Sequence, residues 1–372
     1  MTLPQRVETA PGEPAPQAVR DQVLNILEAG QVAALPTETV YGLAVRADDP
    51  AALERLCRLK GRDDPAGLTW HAGSAAALQA FDGLPNMLAR LGERHWPGPL
   101  TLVLRGVPRG LEHVARAAWT GVRVPAHPAL QSLLDDAPFP IVMTSANRAG
   151  QTPAVDAASV EAIFGEELAL LLDTGPARIG ESSTVLQIGP GRFRVLREGL
   201  LNASDLKRTA GLALGFVCTG NTCRSPMAET LAHAVLARRL ATEPGGDAHP
   251  DADSPETFGF STGSAGVFAG TGSTAADHAI ETLRARGLDL SRHSSRPAAP
   301  ELVRDWDRVY CLTRSHLDAL IDSLPPARAK NLELLDPEGQ DIPDPIGASL
   351  NEYQRCADRI EQCLERRADE WL

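Results

Sequence analysis

The feature that most constrains the fold is a short loop between a strand-like and a helix-like segment. The run VCTGNTCRSPMAE, residues 217–229, follows the apolar residues 212–216 and leads into a helix-like stretch. It separates Cys218 from Arg224 by five residues. A loop of this length wraps an oxyanion with successive backbone N–H groups, and the helix that follows points its N-terminus at the same anion. This run therefore predicts a strand–loop–helix unit within an α/β domain.

The residue types in this loop suit chemistry on phosphorus. Backbone donors and the Arg224 guanidinium favour the thiolate form of Cys218, which is the nucleophilic form. The planar fork of Arg224 matches two phosphate oxygens, and Gly220 lets the backbone approach a ligand closely. Asn221 and Ser225 can form hydrogen bonds within the loop and to the sulfur. The alternative is a buried structural cysteine, and the surrounding T-G-N-T and S-P residues argue against it.

Strand-like and helix-like segments alternate through the second half, as is typical of a parallel sheet covered by helices. Residues 212–372 resemble the low-molecular-weight protein phosphatase family. The resemblance includes the loop, SAGVFAGTG at 264–272 and DPIGASLNEY at 344–353. It implies a four-stranded parallel sheet flanked by helices.

The same resemblance implies a mechanism with a phosphocysteine intermediate. Cys218 would attack phosphorus, Arg224 would hold the transition state, and Asp344 would protonate the leaving group and then activate water. Asp336 and Asp341 lie close by in the sequence and remain acidic alternatives, although Asp344-Pro345 is the pair that matches the family. The remaining phosphate-loop residues would be Thr219, Gly220, Asn221, Thr222, Cys223 and Ser225.

Two positions bear on the phosphatase substrate, which we expect to be a phosphoprotein. Thr222 precedes the second loop cysteine, and Ile346-Gly347 follows Asp-Pro, where tyrosine-specific members usually have aromatic residues. The phosphoarginine-specific branch resembles this chain at both positions, so we favour phosphoarginine over phosphotyrosine. An arsenate reductase needs two further neighbouring cysteines, and only Cys311 lies in the plausible region. Cys223 is either a protective disulfide partner of Cys218 or a small residue that fills the loop.

The first half also contains patterned segments. Residues 32–45, VAALPTETVYGLAV, are expected to form a strand, a turn and the start of a helix. Residues 49–62 are expected to form a helix that ends at Gly61. This helix carries Lys60, one of only three lysines among 36 basic residues. Strands are predicted in TLVLR, GVRVP, IVMTSAN and STVLQI.

Six ordered segments make residues 17–205 resemble the YrdC-like threonylcarbamoyl-AMP synthase family. That family has a twisted α/β fold with a concave, positively charged cavity. Besides the K-x-R of residues 60–62, the segments are PTETVYGL (36–43), HWPGPLTLVL (95–104), VRVPAHP (122–128), TSANRAG (144–150), ESSTV (181–185) and LREG (196–199).

The resemblance implies a nucleotidyltransferase that condenses L-threonine, bicarbonate and ATP to threonylcarbamoyl-AMP and pyrophosphate. The product feeds N6-threonylcarbamoyladenosine formation in tRNA, so tRNA would be an indirect partner through other modification enzymes. Magnesium would accompany the triphosphate, with protein ligands unknown. The ATP-binding residues would be Lys60, Arg62, Ser145, Asn147 and Arg197, and the threonine-binding residues Thr37, His71, Arg123 and Ser183.

Three positions depart from the family pattern. Asp63 and Gly67 stand where prolines are usual, and Ala66 replaces an asparagine that often helps to bind nucleotide. A compact ammonium at Lys60 fits among phosphate oxygens where a guanidinium fork does not. Adenylate formation should therefore be impaired in a Lys60→Arg variant. As the consequence of the three departures, we expect weakened ATP affinity or lost synthase activity.

Composition narrows the class of protein. The net charge of −12 disfavours a protein that coats nucleic acid, and residues 1–210 carry 20 basic and 23 acidic residues. No apolar run is long enough to span a membrane, and the N-terminal residues do not resemble a secretory signal. The six cysteines lack metal-ligand spacing, so we expect free thiols in the cytoplasm and no structural zinc.

These observations predict a bifunctional two-domain enzyme. We expect a flexible tail at 1–16, the synthase domain at 17–205, a linker at 206–212 and the phosphatase domain at 213–372. The alternative is a first domain that only binds nucleotide or RNA and serves a protein-tyrosine phosphatase.

Overall fold

A computed structural model describes residues 4–82, 84, 86–189, 191–241, 253–323 and 331–372. The chain forms two compact units. The N-terminal unit comprises Met1–Leu84 and Leu88–Leu206, and the C-terminal unit comprises Pro85–Met87 and Lys207–Leu372. Both units are mixed α/β structures, as the sequence predicts. Among the described residues, no helix is both long and apolar enough to cross a membrane.

One ten-stranded sheet organises the described part of the N-terminal unit, in the order β1-β8-β2-β3-β7-β4-β6-β5-β9-β10. The strands are β1 (Gln5–Glu8), β2 (Ala33–Leu35), β3 (Gly42–Arg46), β4 (Thr69–His71), β5 (Leu100–Arg105), β6 (Trp119–Arg123), β7 (Ile141–Ser145), β8 (Leu170–Asp173), β9 (Thr184–Gly189) and β10 (Arg192–Arg197). The helices between residues 17 and 210 are α1 (Gln17–Glu28), α2 (Pro50–Lys60), α3 (Asn86–His95), α4 (Pro128–Asp136), α5 (Ala157–Phe164) and α6 (Ala203–Ala210). The first two residues of α3 and the last four of α6 are assigned to the C-terminal unit.

The centre of this sheet is covered on both faces. Leu43 and Val45 belong to a core cluster with Leu53 of α2, whereas the intervening Ala44 belongs to a second cluster with Leu27 of α1. Successive strand residues point to opposite faces, so an apolar run without polar alternation is what a doubly covered strand requires.

The segment 32–45 differs from its prediction. It forms two antiparallel strands, β2 and β3, joined by a buried loop, instead of a strand and a helix start. Residues 42–45 lie in a sheet that is apolar on both faces, and such a short run does not distinguish a strand from a buried helix. The predicted helix at 49–62 is confirmed as α2, with the Asp49 side chain capping its start and Gly61 in the left-handed region at its end.

The N-terminal residues are also more ordered than the predicted flexible tail. Residues 5–8 form β1, which pairs in parallel with β8 at the edge of the sheet. The Arg6 guanidinium lies 2.6 Å from Asp173, the last residue of β8. At the other end of the unit, the predicted linker at 206–212 overlaps helix α6. Four-residue strands and short helices carry too little pattern to be recognised from their sequence alone.

The C-terminal unit contains a four-stranded parallel sheet in the order β12-β11-β13-β14, which confirms the predicted fold. Its strands are β11 (Ala213–Cys218), β12 (Ser261–Gly266), β13 (Arg308–Cys311) and β14 (Leu332–Leu334), and its described helices are α7 (Arg224–Ala241), α8 (Asp277–Arg284), α9 (Pro300–Arg304), α10 (Arg314–Ser323) and α11 (Leu350–Trp371). The strand order reverses at β11, because β12 is added on one side of it and β13 on the other. Ligands of such sheets bind beyond the carboxyl end of the strands at this reversal.

Helix α11 is hydrogen-bonded to residues of β13 and β14 and to the residue that follows β14. The Arg367 guanidinium donates hydrogen bonds to the carbonyl oxygens of Leu334 and Leu335, at 2.8 and 3.2 Å. The Trp371 indole donates to the Tyr310 hydroxyl at 2.8 Å in the buried core. These contacts hold the C-terminal end of the helix, and Tyr353 lies in its first turn.

Candidate active sites

Cys218 is the last residue of β11, where the predicted loop begins, and it is buried. Its Sγ is 3.0 Å from Ser225 Oγ. The neighbouring strand approaches so closely that a Cβ at Gly266 would lie 2.5 Å from the Thr219 carbonyl oxygen. A Cβ at Gly220 would meet Thr222 Oγ1 at 3.7 Å, an ordinary van der Waals distance. The glycine that the packing of this loop requires is therefore Gly266, which the sequence did not identify.

Asn221 braces the loop from inside. It is fully buried and has a φ of 54°, in the left-handed region. Its amide group donates to Ser225 Oγ at 2.9 Å and to Ser264 Oγ at 2.8 Å, and its side-chain oxygen accepts from the Arg296 backbone N–H at 3.0 Å. Asparagine tolerates this conformation better than most residues do. These hydrogen bonds hold the turn of the loop at Asn221.

Arg224 begins α7 and is buried. Its guanidinium donates to the Ile342 carbonyl oxygen at 3.1 Å, to Thr219 Oγ1 at 3.2 Å and to Asp344 Oδ2. Its Nε is also buried and has no partner among the described residues. Such an unsatisfied buried donor indicates a position for an acceptor that arrives with a ligand.

The three acidic candidates separate in the structure. Asp344 contacts Arg224 at the loop. Asp336 is buried and paired with Arg359, and Asp341 accepts from the Arg314 backbone N–H at 2.6 Å. The structure therefore brings Asp344, and neither alternative, to the guanidinium.

Two further side chains touch the loop that the sequence did not reveal. His316 Nε2 lies 2.9 Å from Thr219 Oγ1, and burial together with Arg224 lowers the pKa of His316 to about 4. The Tyr353 hydroxyl lies 3.3 Å from Cys223 Sγ, and Thr222 Oγ1 lies 3.7 Å from the same sulfur. His316 is 97 residues from Thr219, and no motif quoted above includes it. Tyr353 is the last residue of the DPIGASLNEY segment, but its contact with Cys223, 130 residues away, is visible only in the fold.

In the N-terminal unit, Lys60 meets Ser145 and Asn147 where α2 and β7 end. Its Nζ donates to the Ser145 carbonyl oxygen at 2.7 Å and to Asn147 Oδ1 at 3.0 Å. The Ser145 hydroxyl also donates to Asn147 Oδ1, at 2.5 Å. Burial, and then the charge of Arg62, lower the pKa of the Lys60 ammonium to about 8. The Arg62 guanidinium donates to the Ala66 carbonyl oxygen at 2.9 Å.

A second group surrounds Arg123, the last residue of β6. Its guanidinium donates to Glu38 Oε1 at 2.7 Å, to Thr39 Oγ1 at 2.9 Å and to the Gly98 carbonyl oxygen at 3.2 Å. Arg123 and Glu38 are both buried. Glu38 was not singled out from the sequence, although it lies within the PTETVYGL segment. Its partner is 85 residues away, so the pairing is visible only in the fold.

Arg197, predicted to bind ATP, contacts Ser183, which is predicted to bind threonine. The Arg197 guanidinium donates to the Ser183 carbonyl and hydroxyl oxygens at 3.0 and 3.1 Å. Burial, and then Arg123, lower the pKa of Arg197. Burial likewise lowers the pKa of His71 to about 3, so its imidazole is neutral at physiological pH. Thr37 Oγ1 donates to the Val40 carbonyl oxygen at 2.6 Å and so shapes its own loop.

The loop of residues 36–41 borders both groups. Glu38 and Thr39 contact Arg123, and the Tyr41 carbonyl oxygen accepts from the Ala146 backbone N–H at 2.8 Å, between Ser145 and Asn147. The unit therefore has cations on two sides of one polar loop. Among the described residues, no group of three or more His, Cys, Asp and Glu side chains could hold a metal ion.

The departures from the expected pattern are accommodated locally. Gly67 has a φ of 85°, a conformation that strains any other residue. The Asp64 carboxylate accepts from the Ala66 backbone N–H at 2.7 Å and lies 3.6 Å from the exposed Arg116. Arg116 therefore offsets part of the acidity next to Arg62.

Two family models match the chain. Residues 25–199 match the Sua5/YciO/YrdC family, described as "Telomere recombination", and residues 213–370 match the "Low molecular weight phosphotyrosine protein phosphatase" family. Both resemblances inferred from the sequence are thereby confirmed.

Relatives and solved structures agree for the first unit. A threonylcarbamoyl-AMP synthase from Alkalilimnicola ehrlichii is 39% identical over 46% of this chain and 91% of that protein. The synthase from Pyrococcus abyssi is 36% identical over 49% of this chain and 54% of that protein, so the chain spans about half the length of that relative. A structure of P. abyssi Sua5 is 28% identical with a TM-score of 0.50, and covers 59% of this chain and 72% of that one. The chain therefore belongs to the threonylcarbamoyl-AMP synthase family over residues 25–199, and carries a low-molecular-weight phosphatase domain over residues 213–370.

Proposed function

We propose that the chain is a bifunctional enzyme. The N-terminal unit makes L-threonylcarbamoyl-AMP and pyrophosphate from L-threonine, bicarbonate and ATP, and the C-terminal unit hydrolyses phosphoproteins through a phosphocysteine. Membership of the two families supports the two reaction classes.

The observation that carries the synthase proposal is the hydrogen-bonded group of Lys60, Ser145 and Asn147. Ser145 and Asn147 are 85 and 87 residues from Lys60 in sequence, yet the fold joins the three into one polar group with a buried ammonium. Lys60 and Arg62, together with Arg197, bind the ATP phosphates. Ser145 and Asn147 contact the nucleotide and the carbamate. Magnesium enters with the triphosphate, because it is commonly held by substrate phosphates and water.

The second group binds threonine. Arg123 offers the carboxylate a fixed guanidinium, and Ser183 and Thr37 offer hydroxyl groups. His71, neutral because of its lowered pKa, contributes a hydrogen bond without a charge. The threonine carbamate then attacks the α-phosphorus of ATP, so catalysis is mainly positioning and charge neutralisation.

The synthase assay supplies L-threonine, bicarbonate, ATP and Mg²⁺, and measures pyrophosphate and the adenylate. We expect product from the wild type, at least a hundredfold less from Lys60→Ala, and unchanged product from Arg58→Ala. Arg58 lies on the same helix but is exposed and paired with Glu54, so it is a matched control. ATP binding without product in a folded wild type would instead support a nucleotide-binding module.

The observation that carries the phosphatase proposal is the arrangement of Arg224. It contacts Asp344 and the loop, and no residue that the structure describes pairs with its buried Nε, so this donor is available to a phosphate. Cys218 attacks phosphorus, Arg224 stabilises the equatorial oxygens, and Asp344 gives the leaving group its proton and later activates water. Ser225 Oγ lies close enough to stabilise the thiolate when it departs.

We propose phosphoarginine as the preferred substrate and phosphotyrosine as the competitor. The Thr222 hydroxyl at the loop can accept from a guanidinium, and the exposed Ile346 is followed by Gly347 instead of an aromatic wall. Rates on phosphoarginine and phosphotyrosine peptides of the same sequence measure the preference. Thr222→Ile should lower the phosphoarginine rate relative to the phosphotyrosine rate. An unchanged ratio, with phosphotyrosine far faster in the wild type, refutes the preference.

The nucleophile is tested separately. Cys218→Ser should lower turnover of a generic aryl phosphate by at least about 10³, whereas Cys311→Ala, in the neighbouring strand β13, should retain it. Full activity in Cys218→Ser would refute the phosphocysteine step.

A further inference from the structure

The carboxylate of Glu38 is buried, and its two oxygens differ in their contacts. The side chain is 2% exposed, and its Oε1 accepts from Arg123 at 2.7 Å. Its Oε2 is buried and has no hydrogen-bond partner among the described residues. Leaving a buried acceptor unsatisfied costs about 1–3 kcal/mol, and more for a charged group. A partner that arrives with a ligand would remove this cost.

The only other charged side chain with such an atom, among those described, is Arg224. Its free Nε lies in the phosphatase loop, where an anionic ligand is expected. Glu38 likewise has a buried polar atom that no described residue contacts by a hydrogen bond, but this atom is an acceptor with a negative charge. The ligand group that pairs with it must therefore be a donor.

The charges around Glu38 indicate which donor fits. Arg123 faces it from β6, and His127 lies nearby at the start of α4, with a pKa that burial lowers. Arg197 and the neutral His71 approach Arg123 from β10 and β4. The group thus offers two permanent cations and one carboxylate. Free threonine carries one carboxylate and one ammonium, which the arginines and Glu38 can satisfy in turn.

We propose that Glu38 binds the ammonium of L-threonine and accepts the proton that this group must lose before it can react. The inference rests on the synthase function proposed above. The ammonium N–H bond breaks, its electrons remain on nitrogen, and Glu38 becomes a carboxylic acid. The free amine then attacks the carbon of bicarbonate, and the carbamate and water are the products.

The rival explanation is that Glu38 only holds Arg123 in place. Glu38→Gln distinguishes the two, because its amide oxygen can still accept from Arg123 but cannot take up a proton at neutral pH. Loss of a general base lowers a rate by about 10²–10⁴. We expect the variant to be at least about a hundredfold slower at pH 7.

The decisive readout is the wild-type to variant rate ratio between pH 7 and 9, at saturating ATP. The fraction of threonine with a free amine rises about tenfold per pH unit below its pKa, and the variant depends on that fraction. We therefore expect the ratio to fall steeply as the pH rises. Effects of pH on Lys60 act on both proteins and cancel. A ratio that stays constant would overturn the proposal and leave Glu38 as a positioning residue.

Binding provides a test that does not require turnover. By calorimetry on the full chain, Glu38→Gln should bind L-threonine at least about tenfold more weakly than the wild type. Both proteins should bind the analogue with a hydroxyl in place of the ammonium equally well. Glu28→Gln, an exposed glutamate at the end of α1, is the matched control and should behave as wild type.

The outcomes separate the two proposals. A wild type that makes no adenylate refutes the synthase function, while the binding comparison still judges the contact between Glu38 and the ammonium. Equal threonine affinity in a folded Glu38→Gln protein, verified by thermal melting, overturns the inference even when the wild type is active.

Discussion

Lys60 should give ATP binding a pH dependence that arginine at the same position would not. The residue is 5% exposed, and burial, followed by the charge of Arg62, lowers the pKa of its ammonium to about 8. The lowered pKa means that the charge is present below pH 8 and is lost as the pH rises through 8. The protonated fraction therefore falls from about three quarters at pH 7.5 to about 3% at pH 9.5.

If ATP binds only the ammonium form, its affinity should fall about 25-fold over this range, which is about 1.9 kcal/mol. The ATP phosphates are fully ionised throughout, so they add no trend of their own. Titration calorimetry with ATP and Mg²⁺, without threonine, measures the affinity in the absence of turnover.

Lys60→Arg supplies the comparison. A guanidinium does not titrate in this range, so its affinity should be independent of pH. It should also be at least about tenfold weaker at pH 7.5, because the Lys60 Nζ fits between two oxygens at 2.7 and 3.0 Å in a buried space. A flat wild-type curve, or a variant curve that declines in parallel, would refute the reasoning.

Three further changes test the C-terminal unit. Gly266→Ala should lower phosphatase kcat/KM more than tenfold, since its Cβ would lie 2.5 Å from the Thr219 carbonyl oxygen; steady-state kinetics with a thermal melt measure this, and full activity would contradict it. Asn221→Ala should destabilise the unit by about 2–4 kcal/mol, because three hydrogen bonds are lost, and urea denaturation followed by phosphatase activity checks the value. The pKa of His316 is lowered to about 4, so the unfolded chain binds more protons than the folded one between pH 4 and 6.5, and the free energy of unfolding falls as the pH drops through this window. His316→Gln should reduce that loss of stability. An identical pH dependence of the free energy of unfolding in both proteins would exclude the assignment.

The nucleophile loop could be predicted because its chemistry is contiguous. Cys218, Asn221 and Arg224 lie within seven residues, and the strand and helix on either side fix their relation. The residues that complete the site could not be predicted. His316, Tyr353 and the close approach of Gly266 depend on which strands are neighbours, and a single sequence does not specify this.

The synthase half shows the same limit in its secondary structure. Helix α2 was predicted because its leucines follow the helical period and Asp49 and Gly61 mark its ends. Strands β1 and β3 were missed, because one is four residues long and the other is apolar on both faces. The sequence does not reveal Glu38, because its significance comes from its pairing with Arg123 and from an oxygen that no described residue contacts by a hydrogen bond.

Helix α11 has a consequence for the order in which the C-terminal unit can mature during translation. The loop that carries Cys218 is synthesised early, but Tyr353, which covers Cys223, follows 130 residues later. The same helix must also bring Arg367 to β14 and Trp371 to Tyr310. The loop therefore lacks the contact between Cys223 and Tyr353 while the intervening strands are made. The N-terminal unit has every strand of its sheet by residue 197 and can fold first, since domains generally fold as units in order of synthesis.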